Sequence, residues 1–342
     1  MITISFKPQN VTKILVSSLK ERPREVVINR FGLGSSAKRK TLEAIGREYG
    51  VTRERVRQIE NFAIESIKKS AAIERAREAF QNLVNVFGKK GWVVSERDVL
   101  DFLSKDPKTR NHIHFLLVLG DEFKKIKEDA EFHHRWTIDE EMSERIHDSL
   151  RRLHKDIGED DLIPDKEIYD MVKSYAGADI KKKIDEEIIR SWLKISKVIS
   201  QNNFGEWGFA QSSNIRPRGM RDLAFLVLRK QGSPMHFNEV AGAISKFFSK
   251  KAHPATVHNE LIKDERFVLV GRGLYALTDW GYSKGTVRDV IRNILKENGP
   301  LPKDEINNLV LKERHVKENT ILVNLQNSKY FKRNKEGYYT LA

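Results

Sequence analysis

The sequence predicts a mainly α protein: an N-terminal helix-turn-helix followed by tandem winged-helix domains with small β-hairpin wings. Three observations carry that expectation. Residues 41–60 read as a short helix, a tight turn and a second helix. The C-terminal half repeats itself at constant spacing, and each repeat closes on two β-rich runs around a glycine.

In the helix-turn-helix, Leu42 and Ile45 face a core from the first helix, while Glu43, Arg47 and Glu48 stay in water. Gly50 ends that helix, because glycine enters a left-handed turn without steric cost. Val51 fills the gap between the helices, and Thr52 is a good N-cap for the second. The second helix buries Val56 and Ile59, with Ala63 and Ile67 continuing the stripe, so Arg53, Glu54, Arg57 and Gln58 lie on the opposite face. A recognition helix places its N-terminal side chains at base edges in the major groove. Arginine grips guanine, glutamine grips adenine, and glutamate accepts from cytosine. These four residues are therefore candidate base readers. Lys38, Arg39, Lys40, Thr41, Thr52 and Arg55 are candidate contacts to the DNA backbone.

The repeat is clearest near the C-terminus. Thr256, Leu261, Phe267, Gly273, Tyr275 and Leu277 align at one offset with Thr320, Leu325, Phe331, Gly337, Tyr339 and Leu341. Upstream, Leu193, Ile199, Gly205, Trp207 and Phe209 keep the same spacing, and a weaker copy has Leu117 and Phe123 before a longer loop and Trp136. Leu223, Leu226 and Val227, then Val240, Ile244 and Phe247, give helical apolar spacing. Residues 267–277 alternate around a glycine as a hairpin requires. The expected domains are 1–78 (helix-turn-helix), 79–140 and 141–214 (winged-helix-like), 215–283 and 284–342 (winged helices).

At 342 residues the chain is too long for one core, and 32% charged with 39% apolar residues predicts a folded, soluble, cytoplasmic protein. No apolar run reaches the roughly 18 to 20 residues of a membrane span. With no cysteine, disulfides and thiolate metal sites are excluded. The net charge of +14 divides unevenly: 17 basic and 9 acidic groups in 1–80, 22 and 26 in 81–214, 23 and 13 in 215–342. The two ends are the expected electrostatic footprint on nucleic acid.

Smaller signals point the same way. Gly32-Leu-Gly34 before Lys38 lacks the Walker spacing and reads as a turn. His112, His114, His133 and His134 lack acidic or cysteine partners at ligand spacing, so no metal is expected. Trp207, Tyr275, Trp280, Tyr338 and Tyr339 are expected to pack hairpins onto helices rather than stack on bases. Arg272 in the third wing and Lys332, Arg333 and Lys335 in the fourth are candidate DNA contacts. No catalytic constellation or cofactor fingerprint is present, so neither enzyme activity, a cofactor nor a small-molecule substrate is expected.

From Arg22 to about Lys69 the chain resembles region 4 of the bacterial primary sigma factors, which recognises the −35 promoter element. The likeness rests on Arg24-Glu-Val-Val-Ile-Asn-Arg-Phe-Gly-Leu33, Thr41-Leu-Glu-Ala-Ile-Gly46 and Val51-Thr-Arg-Glu-Arg-Val-Arg-Gln-Ile-Glu60. It implies base contacts from Arg53, Glu54 and Gln58, base or phosphate contacts from Arg57, and docking on the flap of the RNA polymerase β subunit. No segment resembles the melting helix of sigma region 2, so promoter melting by this chain alone is not expected. Met220 to about Tyr282 resembles the HARE-type helix-turn-helix domain, through Leu228-Arg-Lys-Gln-Gly-Ser-Pro-Met-His-Phe-Asn-Glu-Val240, Thr256-Val257 and Phe267-Val-Leu-Val-Gly-Arg-Gly-Leu-Tyr-Ala-Leu-Thr-Asp-Trp280. Members of that family bind either DNA or protein. The expected function is a sigma-related transcription factor that binds promoter-like double-stranded DNA and contacts core RNA polymerase. The rivals are a polymerase-associated adaptor and a nucleoid or restriction-defence protein.

Overall fold

Four helices lead the chain: α1 (Pro8–Ser17), α2 (Glu21–Phe31), α3 (Leu42–Tyr49) and α4 (Arg53–Lys68). The structure, a computed structural model, describes residues 4–342. Pro8 opens α1, where a missing N–H costs nothing. Arg24 then closes it, donating to the carbonyls of Val16 (3.1 Å), Ser17 (3.2 Å) and Leu19 (2.6 Å).

Four copies of one pattern follow. The first is α5 (Ala72–Lys89), β1 (Val93–Ser95), α6 (Glu96–Leu103), α7 (Pro107–Leu119), β2 (Lys124–Ile126) and β3 (Arg135–Thr137). The second is α8 (Glu140–Asp156), α9 (Asp165–Tyr175), α10 (Ala178–Lys181), α11 (Glu186–Leu193), β4 (Ile199–Gln201) and β5 (Trp207–Phe209). The third is α12 (Met220–Gln231), β6 (Met235–His236), α13 (Phe237–Phe248), α14 (Pro254–Lys263), β7 (Phe267–Gly271) and β8 (Leu274–Leu277). The fourth is α15 (Val287–Asn298), α16 (Lys303–Glu313), α17 (Glu318–Leu325), β9 (Phe331–Arg333) and β10 (Tyr339–Leu341). The chain is thus mainly α with small antiparallel wings, as the sequence predicts.

The structure adds a strand that the sequence pattern misses. In the first and third copies a short strand precedes the middle helix and pairs with the last wing strand, giving sheet orders β1-β3-β2 and β6-β8-β7. In the second and fourth copies it shrinks to the bridges Ile163–Trp207 and Leu301–Tyr339. Two or three residues are too few for alternation to show. The partner residue is always the wing aromatic: Trp136 pairs with Val94 and Tyr275 with Met235. These four aromatics are buried. Trp136 Nε1 donates to Glu96 at 2.8 Å and Trp207 Nε1 to Asp165 at 2.6 Å, in each case the first residue of the middle helix. The expected packing role therefore holds for Trp207, Tyr275 and Tyr339. Tyr338 is 40% exposed and packs less.

The chain divides into two compact units, residues up to Ser200 with Trp207–Ala210, and Gln201–Glu206 with Gln211–Ala342. Within the first, one apolar cluster runs from Leu15 in α1 through Ile67, Phe87, Phe115 and Leu116 to Trp136. A second gathers Ile146, Leu150, Ile168 and Trp192 around α8, α9 and α11. Trp192 donates its Nε1 to the Gly91 carbonyl at 2.9 Å, fastening α11 to the first copy. Within the second unit, Leu223, Leu226, Val227, Val240 and Ile244 are buried as expected, but Phe247 is 46% exposed. It lies at the end of α13, beyond the core, and meets the ring of Phe204 at 5.3 Å. No helix among the described residues is long and apolar enough to cross a membrane.

Two glycines test this packing. A Cβ on Gly46 would lie 2.6 Å from the Val51 carbonyl, whereas one on Gly88 in α5 meets nothing within 4 Å. Gly46→Ala should destabilise by about 1–3 kcal/mol through forced displacement of the turn. Gly88→Ala should stabilise by roughly 0.5–1 kcal/mol through helix propensity. Denaturant melts showing the same sign for both would contradict the packing. His114 supplies a pH test. It is enclosed by the rings of Phe31 and Trp136, and burial, with Arg39 nearby, holds its imidazole down at about 4 despite Glu96. The unfolded chain protonates this group near 6.5, so it binds more protons than the fold between 6.5 and about 4. Stability is lost as pH falls through that window, and His114→Phe should flatten the slope of melting temperature against pH. Equal slopes in the two proteins would refute the assignment.

Candidate nucleic-acid interface

The helix-turn-helix is built from its caps inward. Thr41 accepts from Ala44 N at 3.1 Å and starts α3; Gly50, at φ 63°, ends it. Thr52 accepts from Arg55 N at 3.2 Å and starts α4. Between the helices Val51 N donates to Gly46 O at 2.9 Å, and the close approach there leaves no room for a side chain on Gly46. Val26, Ile45 and Val56 form a small buried core, flanked by Leu42, Tyr49, Val51 and Ile59. Ile59 is only partly buried, because α4 turns its first two turns outward before Ala63 and Ile67 rejoin the main core.

Arg53, Glu54, Arg55, Arg57 and Gln58 are all exposed, and the structure brings them together on one face. Glu54 and Arg57 form a two-pronged pair, Arg57 Nε to Oε2 at 2.9 Å and Nη2 to Oε1 at 2.7 Å. These hydrogen bonds hold the Glu54 carboxyl below its ordinary value and raise Arg57, so both are charged at neutral pH. Arg55 Nη1 donates to Gln58 Oε1 at 3.1 Å. Such exposed pairs are weak and screened by salt, so they orient the side chains without locking them.

The cationic loop before α3 is less uniform than the sequence suggests. Lys38 is exposed, but Lys40 pairs with Glu48 at 2.8 Å and Arg39 donates to Asn111 Oδ1 at 2.7 Å. Asn111, in α7, also donates from Nδ2 to the carbonyls of Gly32 (3.1 Å) and Ala37 (2.7 Å). Ala37 holds a left-handed φ of 52°, unfavourable for a residue with a Cβ, and Asn111 braces it. Beside it, Thr12 Oγ1 and His112 Nδ1 lie 2.5 Å apart, and Gln9 donates to Thr109 at 2.7 Å. Asn111 is the site residue that the sequence reading missed. Its only trace there is an amide within the apolar run of α7, 72 positions from Arg39.

The other candidate contacts, Arg272, Lys332, Arg333 and Lys335, are exposed at hairpin tips in the second unit. Arg333 Nε donates to the Gly337 carbonyl at 3.2 Å within its own wing. Of the histidines, His112 is buried and His114 partly buried, and His134 Nδ1 accepts from Glu128 N at 3.0 Å.

Comparison with known proteins places two segments. Residues 15–69 match the family model for sigma-70, region 4, and residues 218–280 match the HARE-HTH model, a helix-turn-helix domain described from ASXL and restriction endonuclease proteins. The chain is similar over 59 residues, at 49% identity, to the RNA polymerase sigma factor RpoS of Coxiella burnetii, which is 17% of this chain and 16% of that protein. It is 48% identical over 54 residues to RpoD of Helicobacter pylori, 16% of this chain and 8% of that protein. It is 40% identical over 67 residues to RpoD of Neisseria gonorrhoeae, 20% of this chain and 10% of that protein. The chain thus covers less than a fifth of the length of each of these relatives. It carries a sigma-70 region 4 segment near its N-terminus and a HARE-type helix-turn-helix domain in its C-terminal half.

Proposed function

We propose that the chain is a transcription regulator whose region 4 segment reads a promoter-like element in duplex DNA and docks on core RNA polymerase, without catalysing a reaction. The observation that carries this reading is the outward face of α4, where Arg53, Glu54, Arg57 and Gln58 stand exposed over the core of Val26, Ile45 and Val56. Arg53 and Arg57 supply bidentate donors for guanine, Gln58 supplies a donor and an acceptor for adenine, and Glu54 supplies an acceptor for cytosine. Lys38 reaches phosphate from the loop. Thr41 and Thr52 spend their hydroxyls on caps, so their backbone role lies in positioning helix N-termini towards phosphate. Polymerase contact is drawn from the sigma factors that the segment resembles. The acidic balance of residues 81–214 favours a second reading, an adaptor whose middle copies hold a protein partner.

Transcription in vitro with core polymerase, with and without a primary sigma factor, tests the proposal, and selection from a random duplex pool tests sequence reading. Arg57→Ala or Gln58→Ala should relax the preference at one base pair by about 1–3 kcal/mol. Lys38→Ala should weaken all duplexes alike and reduce the salt slope by about 1. A pool that returns no motif favours the adaptor. Asn111→Ala should lower stability by about 1–3 kcal/mol through unpaired carbonyls. It should also weaken DNA binding several-fold without altering the motif; unchanged affinity would remove Asn111 from the interface.

A further inference from the structure

The four copies do not expose the same helix. In each, the helix before the hairpin is the one that follows the turn of a helix-turn-helix: α7, α11, α14 and α17. The first two are consumed by packing. α7 buries seven of its thirteen residues and lies against α1, α2 and α4. α11 buries five of its eight and lies against β1. By contrast α14 buries only Val257 and Leu261, and α17 only Ile321 and Leu325, among the described residues.

The two open helices differ in chemistry. Opposite the buried pair, α14 shows Ala255, Asn259, Ile262 and Lys263, and its hairpin turn carries one cation, Arg272. Opposite its buried pair, α17 shows Asn319, Val323 and, at its C-cap, Gln326. Val323 is 59% exposed. The adjoining hairpin carries Lys332, Arg333 and Lys335 against the single acid Glu336, all exposed. The turn that aims α17 is fixed. Arg314, 2% exposed, donates to the carbonyls of Ser283 (2.5 Å), Gly285 (3.2 Å) and Glu313 (2.8 Å). His315 N donates to Val270 O at 2.7 Å, joining the turn to β7 of the third copy.

We propose that the fourth copy is a second DNA-reading module, with α17 in the major groove of an A·T-containing site and the β9–β10 hairpin on the flanking phosphates. Carboxamides of Asn319 and Gln326 match the donor and acceptor of adenine, and Val323 matches the thymine methyl. The wing cations supply the charge complement of the backbone. Neither family match reaches this copy, and the proposal is independent of what α4 reads.

The full-length chain carrying Arg53→Ala, Arg57→Ala and Gln58→Ala is put through selection from a random duplex pool beside the unaltered protein. The α4-silenced chain should still enrich an A·T-containing motif. Adding Asn319→Ala and Gln326→Ala should abolish it, and Asn319→Asp alone should weaken the enriched duplex about tenfold. Changing Lys332, Arg333 and Lys335 to Glu should weaken every duplex and make the salt slope shallower by about 2–3. All these sites are exposed, and matching thermal melts verify each variant. The proposal falls if the α4-silenced chain enriches nothing, if its motif survives loss of both amides, or if single-stranded RNA of the same composition competes as well as duplex. A motif lost only with α4 overturns this inference and leaves the region 4 reading standing.

Discussion

The face of α7 that a lone winged helix leaves in water is buried here against α1, α2 and α4, and the geometry of the N-terminal helix-turn-helix follows from that burial. Its apolar side joins Phe115 and Leu116 to the cluster that contains Leu15 and Ile67, which holds the far half of α4. Its polar edge places Asn111, His112 and Thr109 against the loop after α2 and against α1. The three helices α2, α3 and α4 share only a small core of their own around Ile45 and Val56. A core that small leaves little margin, so the loop carrying Lys38, Arg39 and Lys40 takes its shape from a helix belonging to the next repeat.

One repeated architecture is therefore packed in two ways. Each copy keeps its wing aromatic buried and paired with a residue just before the middle helix, through a short strand in two copies and a single bridge in the other two. What differs is the solvent side of the helix before the wing. In α7 and α11 that side is apolar enough to be buried against a neighbouring element, as Trp192 shows by bonding to Gly91. In α17 it is amide, valine and amide, and it is left in water. The charge distribution agrees, since the acidic excess lies in the copies whose helices are buried and the basic excess lies at the two ends.

Electrostatics within the candidate interface is arranged for exchange rather than for stability. Glu54 with Arg57, and Lys40 with Glu48, are exposed pairs at hydrogen-bonding distance. In water and salt such pairs contribute little to folding, so phosphate or a base edge can displace either partner at small cost. Arg39 is the exception, because its partner Asn111 is buried and already committed to two carbonyls.

The sequence by itself determined the elements. The cap of Thr52, the left-handed Gly50, the exposed face of α4 and the winged repeats were legible because each depends on residues within one or two turns of chain. So was the packing role of Trp207, Tyr275 and Tyr339, from their recurrence at one place in the repeat. Only the tertiary structure decided what covers those elements: that Asn111 braces the loop of Ala37 and Arg39, that Phe247 stays half in water against Phe204, and that α7 and α11 are spent on packing while α17 is free. Those outcomes rest on contacts between residues distant in the chain, and an apolar helix face looks the same in sequence whichever neighbour it is buried against.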